Sequence, residues 1–120
     1  ASLDGAGTGA ALAALERLDA PAARKGYTAA LTRWPGEPVL LLGAGNTAYA
    51  AKDRRTAARH YARLTDVRPD LPEGWNNLAQ VLMEQGERYK ASLAIERAVA
   101  LGGPRLEQYK ALQKKITAGM

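Results

Sequence analysis

The 120-residue chain has the length of one domain, carries no Cys and has a single His, His60, which excludes disulfides, thiolate sites, a cysteine nucleophile and multi-histidine metal sites. Its net charge of +5 helps solubility and draws acidic partners without specifying nucleic acid. No apolar run reaches the ~18 residues of a membrane span. No signal peptide is visible, but a segment of a longer chain need not carry its leader, so the compartment stays open.

Ala and Leu dominate, β-branched residues are few and Phe is absent, so the expected fold class is all-α. Residues 1–9, "ASLDGAGTG", read as a linker or disordered start, because small residues bury too little to order. Seven helices are predicted after it: 10–19, 21–34, 38–51, 54–67, 72–85, 87–101 and 104–117. Pro21, Pro38, Pro72 and Pro104 fall where a first helical turn tolerates Pro. Asp19, Asp53 and Asp70 are placed as N-caps. "KD" at 52–53 and "QGE" at 85–87 are short turns between paired helices.

Shifting the chain by 34 residues aligns it with itself. The shift pairs Pro38 with Pro72, Leu41 with Trp75, Ala44 with Leu78, Gly45 with Ala79, Ala57 with Ala91 and Tyr61 with Ile95. Backwards, it pairs Ala23 with Ala57, Tyr27 with Tyr61 and Pro35 with Pro69. With Trp75, Leu78, Ala79, Leu82, Gly86, Ala91, Ile95 and Ala98 in register, residues 72–105 resemble a tetratricopeptide repeat (TPR). Residues 38–71 match it through Gly45, Ala57, Tyr61 and Pro69, although Leu41 replaces the aromatic. Residues 4–37 match only in their second half, since Gly5, Gly7 and Gly9 start a helix at a cost. The resemblance implies a right-handed superhelix of antiparallel helix pairs, about three repeats with a C-terminal capping helix. The expected units are 10–37 (a degenerate first repeat), 38–71, 72–103 and the capping helix 104–117. Each pair cannot cover its apolar stripe alone, so neighbours stack. Trp75 and Leu78 are expected to look into the hairpin core. The short first helix would leave Leu12 and Leu15 partly uncovered, a route to self-association.

The chemical inventory argues against catalysis, a cofactor or a metal. "LLGAGNTAYA" has a Gly-x-Gly but lacks the third Gly and the preceding strand of a dinucleotide loop, so close helix packing explains it. His60 has no evident orienting partner and reads as a surface or interhelical side chain. "KDRRTAARHYAR" puts Lys52, Arg54, Arg55, Arg59 and Arg63 on an outer helix, a solvated face. Without interleaved aromatics it does not predict base stacking, and nucleic acid is disfavoured as a partner.

The resemblance implies that first helices line a concave, ligand-binding surface. There the register places Leu42, Asn46 and Tyr49 in one unit, with Val39, Gly43 and Ala50. It places Asn76, Asn77, Gln80 and Met83 in the next, with Glu73 and Glu84, and Lys110 and Lys114 on the capping helix. Asn46 and Asn77 match the two asparagines that peptide-binding TPR proteins set against ligand backbone. An amide offers donor and acceptor together, which suits an extended peptide. Leu42 stands where the carboxylate clamp of the family has a Lys, and its later basic pair falls at Glu107 and Ala111. These departures argue against capture of a C-terminal carboxylate.

The expected function is a non-catalytic protein–protein interaction or peptide-binding scaffold module. A narrower resemblance, in "WNNLAQVL" and "AVALGGPRLEQY", is to the C-terminal TPR region of bacterial bacteriocin-processing-type (papain-like) cysteine peptidases. It implies a docking or substrate-presenting appendage in an envelope or secretory setting, whose catalytic domain this chain does not contain.

Overall fold

The computed structural model describes residues 14–15 and 19–120, and within them the chain is helical throughout, with short connections. The expected linker at 1–9 and most of the expected helix 10–19 lie outside the described residues. Residues 14–15 are helical. Six helices follow: α1 Ala20–Arg33, α2 Pro38–Ala50, α3 Arg54–Val67, α4 Pro72–Glu84, α5 Arg88–Leu101 and α6 Leu106–Ala118. Each packs against its sequence neighbours, building a TPR-type superhelix of stacked antiparallel hairpins closed by α6. No described helix is long and apolar enough to cross a membrane.

The helix starts follow from local chemistry. Asp19 caps α1 by accepting from Ala22 N at 3.0 Å, and Asp53 caps α3 by accepting from Thr56 N at 3.2 Å. α2 and α4 begin at Pro38 and Pro72, whose missing N–H would have been unpaired in a first turn anyway. Two expectations are corrected. Asp70 is not the cap of α4: Pro72 at the first helical position makes Leu71 the cap residue, so Asp70 stands one residue too early. It instead accepts from Arg68 Nε and Nη2, both at 2.9 Å. Pro104 does not open the last helix either. Gly102 (φ 73°) and Gly103 (φ 99°) turn the chain, Pro104 and Arg105 complete the turn, and α6 starts at Leu106. At its far end, Arg88 donates to the carbonyls of Lys115 and Ile116 in the last turn, the latter also accepting from the Gly119 N–H.

The two intra-hairpin turns occupy the same slot, 34 residues apart, and both are left-handed: Lys52 has φ 64° and Gly86 has φ 80°. Only Gly adopts this region without strain. Gly86→Ala is therefore expected to destabilise by about 1 kcal/mol, and Lys52→Gly to be neutral or to stabilise by up to about 1 kcal/mol. Urea unfolding of the two variants checks this, and a loss of stability in Lys52→Gly would refute it.

Small residues set the helix spacing. Ala57, Ala79, Ala91 and Ala98 are fully buried where helices meet, and Ile95, Leu112 and Ile116 fill the space around them. A Cβ on Gly45 would fall on the Tyr61 ring, and one on Gly43 would fall on the Tyr27 ring. The Gly-x-Gly of α2 thus seats two aromatics, each an apolar surface of about 150–250 Å². Tyr27 joins a smaller core with Leu15, Ala23, Leu40 and Ala44. Leu15, expected to be partly uncovered, is only 6 % exposed in this core, which removes its share of the basis for self-association; Leu12 lies outside the described residues. Trp75 packs against the main core as expected, but only half-buried: its indole N–H donates to the Pro69 carbonyl at 2.9 Å, and Arg97 lies over its ring at 5.2 Å.

An ion pair links the first hairpin to the second. Arg24 Nη2 on α1 lies 2.6 Å from Asp53 Oδ2 at the start of α3. Arg24 first, then Thr56, hold the Asp53 carboxyl down to about 2. A folded pKa below the unfolded value stabilises above the unfolded pKa of ~3.9 and is lost as pH falls toward the folded value. Asn caps as well as Asp, so Asp53→Asn removes the charge and leaves the cap. The wild-type protein is expected to melt higher than Asp53→Asn at pH 5, with the gap closing between about pH 4 and pH 2. A gap independent of pH would show that the charge contributes nothing.

Candidate functional site

Leu42, Asn46 and Tyr49 follow each other at i, i+4 and i+7 and share one side of α2. Asn76 and Asn77, then Gln80, then Met83 and Glu84 repeat that spacing on α4. Between the two helices opens a pocket of ≈ 240 Å³ lined by Asn46, Tyr49, Asn77 and Gln80 together with Tyr61 and Val81. Four of the residues placed there by register thus come together. Leu42, Asn76, Met83, Lys110 and Lys114 do not line this pocket. Leu42 lines a neighbouring apolar cavity of ≈ 140 Å³ with Val39, Leu64 and Leu71. Met83 packs against the main core, and Asn76 donates to Asn77 Oδ1 at 3.3 Å. Lys110 and Lys114 are exposed on α6, with Lys110 Nζ 3.9 Å from Glu107 Oε1.

The hydrogen bonds determine what the pocket offers. Tyr61 Oη donates to Asn46 Oδ1 at 2.6 Å, so one lone pair of that oxygen serves the fold while the NH₂ donors stay free. Asn77 Oδ1 likewise accepts from Asn76 Nδ2 at 3.3 Å and its own NH₂ stays free. Glu84 Oε2 accepts from Tyr49 Oη at 2.5 Å and from Gln80 Nε2 at 2.6 Å, and Glu84 Oε1 accepts from Arg54 Nε at 2.9 Å. The Gln80 carbonyl oxygen keeps its acceptor capacity. The pocket therefore presents amide donors from Asn46 and Asn77, an amide acceptor from Gln80, and the apolar surfaces of Tyr61 and Val81.

Nothing in it titrates near neutrality. Burial pulls the Glu84 carboxyl upward, but the bonds from Tyr49, Gln80 and Arg54 outweigh it and leave the pKa below the ordinary glutamate value. The Glu84 bond, then burial, raise the Tyr49 hydroxyl, and burial raises Tyr61. His60 lies elsewhere, between α1 and α3 beside Arg24, Tyr27 and Thr28, and burial with Arg59 and Arg24 holds its pKa below the usual value. Among the described residues no group of three or more His, Asp or Glu side chains gathers to hold a metal.

Two contributors escaped the sequence reading. In the sequence Tyr61 stands out only as a repeat-register position, yet its hydroxyl reaches the pocket; the polar tip of an otherwise apolar residue was the available signal. Arg54 was assigned to the solvated outer face with Arg55, Arg59 and Arg63. All four are exposed, but among the described residues only Arg54, at the first position of α3, forms an ion pair, with Glu84.

This architecture is that of the tetratricopeptide-type helical repeats. No family model matches the chain. Among solved structures it is similar to the Yersinia enterocolitica type III secretion chaperone SycD in complex with a peptide of the translocator YopD, at 17% identity and TM-score 0.81, covering 98% of this chain and 96% of that one. It is also similar to the Sgt2 TPR domain from Aspergillus fumigatus, at 22% identity and TM-score 0.74, covering 92% and 77% respectively. At these identities the likeness establishes the fold.

Proposed function

We propose that the chain is a non-catalytic protein-interaction module that takes an extended peptide segment in the groove between α2 and α4. The observation that carries this reading is the convergence of Asn46, Asn77 and Gln80 on one open pocket with donors and an acceptor unspent. Peptide backbone has the complementary C=O and N–H groups. Among the described residues no cation lines the pocket, which fits an internal segment better than a terminal carboxylate. The similar SycD structure was solved with a peptide of YopD. The peptidase-appendage reading rests on the two sequence phrases alone, and the surface described here does not require it.

The two asparagines are not equivalent for testing. Asn46→Ala strips a partner from the buried Tyr61 hydroxyl and disturbs the fold, whereas Asn77→Ala leaves only the half-buried Asn76 amide to rehydrate. Peptides tiled from proteins recovered on the immobilised module should shift the side-chain amide signals of Asn46, Asn77 and Gln80 in ¹⁵N spectra. Asn77→Ala should bind about tenfold more weakly with an unchanged melting temperature, the scale of one lost peptide hydrogen bond. Unchanged affinity, or shifts that avoid the α2–α4 groove, would overturn the assignment.

A further inference from the structure

The outer helices α3 and α5 occupy equivalent slots 34 residues apart, yet their exposed faces differ in kind. At the slots where α3 carries Arg55 and Arg59, α5 carries Tyr89 and Leu93. Tyr89 is 70 % exposed, Leu93 49 % and Leu101 44 %, while no large hydrophobic of α3 is comparably exposed. Tyr89 and Leu93, one turn apart, form a short apolar stripe on the side of α5 turned away from the buried Ala91, Ile95 and Ala98; Arg97 continues that row, and Leu101 lies at the helix end nearer the Ala94 and Ala98 side. α5 therefore exposes large apolar side chains on its outer side where α3 presents arginines.

The stripe borders an open cleft. A cavity of ≈ 430 Å³ is floored by Trp75, Leu78 and Leu82 of α4 and walled by Leu93, with Lys90 and Arg97 at its rim. In the preceding hairpin, the corresponding cleft holds Arg24, Thr28 and His60 and shrinks to ≈ 30 Å³, and Arg24 pairs with Asp53 at 2.6 Å. In the 34-residue register, Arg24, Thr28 and His60 become Ala58, Ala62 and Ala94, so the later cleft lacks the side chains that fill the earlier one.

We infer that this cleft and stripe form a second docking surface, which receives an amphipathic helix of a partner protein with an apolar face and acidic flanks. The helical form follows from the shape. The row Tyr89, Leu93 and Arg97 spans about 12 Å at 1.5 Å per residue, about two turns of a partner helix, and the described residues contain no sheet edge to extend. The acidic flanks follow from the charge. Among the described residues Lys90 and Arg97 have no carboxylate partner within ion-pair distance, Arg97 lying over the Trp75 ring, and Glu96 is the one acid lining the cleft. Helix-in-groove recognition needs this combination of a hydrophobic trough and complementary rims.

The test uses a synthetic amphipathic Leu/Glu helical peptide, a Leu/Lys peptide of the same pattern, and a scrambled Leu/Glu peptide. The Leu/Glu peptide is expected to shift the Trp75 indole signal and the amides of residues 89–101, with affinity falling as salt rises. Leu93→Arg should weaken it at least tenfold without lowering the melting temperature, because Arg59 already stands in that slot of the preceding hairpin. Tyr89→Arg, at the more exposed end, provides a second reading if Leu93→Arg alters the fold. Asn77→Ala should leave this binding intact, which separates it from the α2–α4 groove. Equal binding of the Leu/Lys or scrambled peptide overturns the inference. So does indifference to both Arg variants, or a dimer in sedimentation that Leu93→Arg dissolves, since a second copy would then be the occupant.

Discussion

Tyr61→Ala is expected to destabilise the domain by about 3–5 kcal/mol, the range for deleting a buried aromatic side chain. Domains of this size are stable by only ~5–15 kcal/mol, so the variant sits near the edge of folding. The ring is 2 % exposed and lies where Gly45 leaves room for it. Once it is removed, α2 has no side chain at that position to move into the void, so the hairpin cannot collapse cheaply. Thermal melts should show a loss of roughly 12–20 °C, at about 4 °C per kcal/mol. Tyr61→Phe separates the two contributions: the ring stays, and only the bond to Asn46 Oδ1 is lost, at a cost of about 0.5–1.5 kcal/mol. Equal losses in the two variants would show that the hydroxyl, not the ring, holds α2 to α3.

Ile95→Ala should cost about 2–5 kcal/mol, and the loss should be local before it is global. Ile95 is fully buried in the core shared with Tyr109, Leu112 and Ile116 of α6. In a stacked array stability is the sum of unit and neighbour terms, so weakening the last junction frees the capping helix first. Hydrogen exchange should accelerate across Leu106–Ala118 more than across Pro38–Ala50. Ile95→Val, which keeps most of the volume, should cost about 0.5–1.5 kcal/mol. Uniform acceleration across all helices would mean that the array unfolds as one unit.

The helix order and pairing were legible because their signals are local or periodic. Pro38 and Pro72 marked helix starts through their own covalent chemistry, and the 34-residue register placed Ala57 and Ala91 where backbones approach. The misreadings have specific causes. Asp70 has the right residue type for a cap, but Pro72 decides which residue precedes the helix. Pro104 looked like its counterparts, yet the two glycines before it delay α6. For the groove, the register brought Asn46 and Asn77 to one place without showing that Tyr61 and Asn76 already donate to their oxygens. Such bonds join residues on different helices or adjacent positions whose rotamers depend on packing, and no periodicity encodes them.

By itself, then, the sequence determined an all-α repeat of stacked hairpins, because the 3.6-residue apolar period, the proline starts and the small-residue positions each constrain the chain locally. Only the tertiary structure decided which polar atoms of the α2–α4 pocket bond to one another. It paired the exposed Arg54 with Glu84, tied the Asn46 and Asn77 oxygens to Tyr61 and Asn76, and left Tyr89 and Leu93 uncovered where α3 presents arginines. Those outcomes depend on distances between residues far apart in the chain, and these distances exist only once the hairpins have stacked.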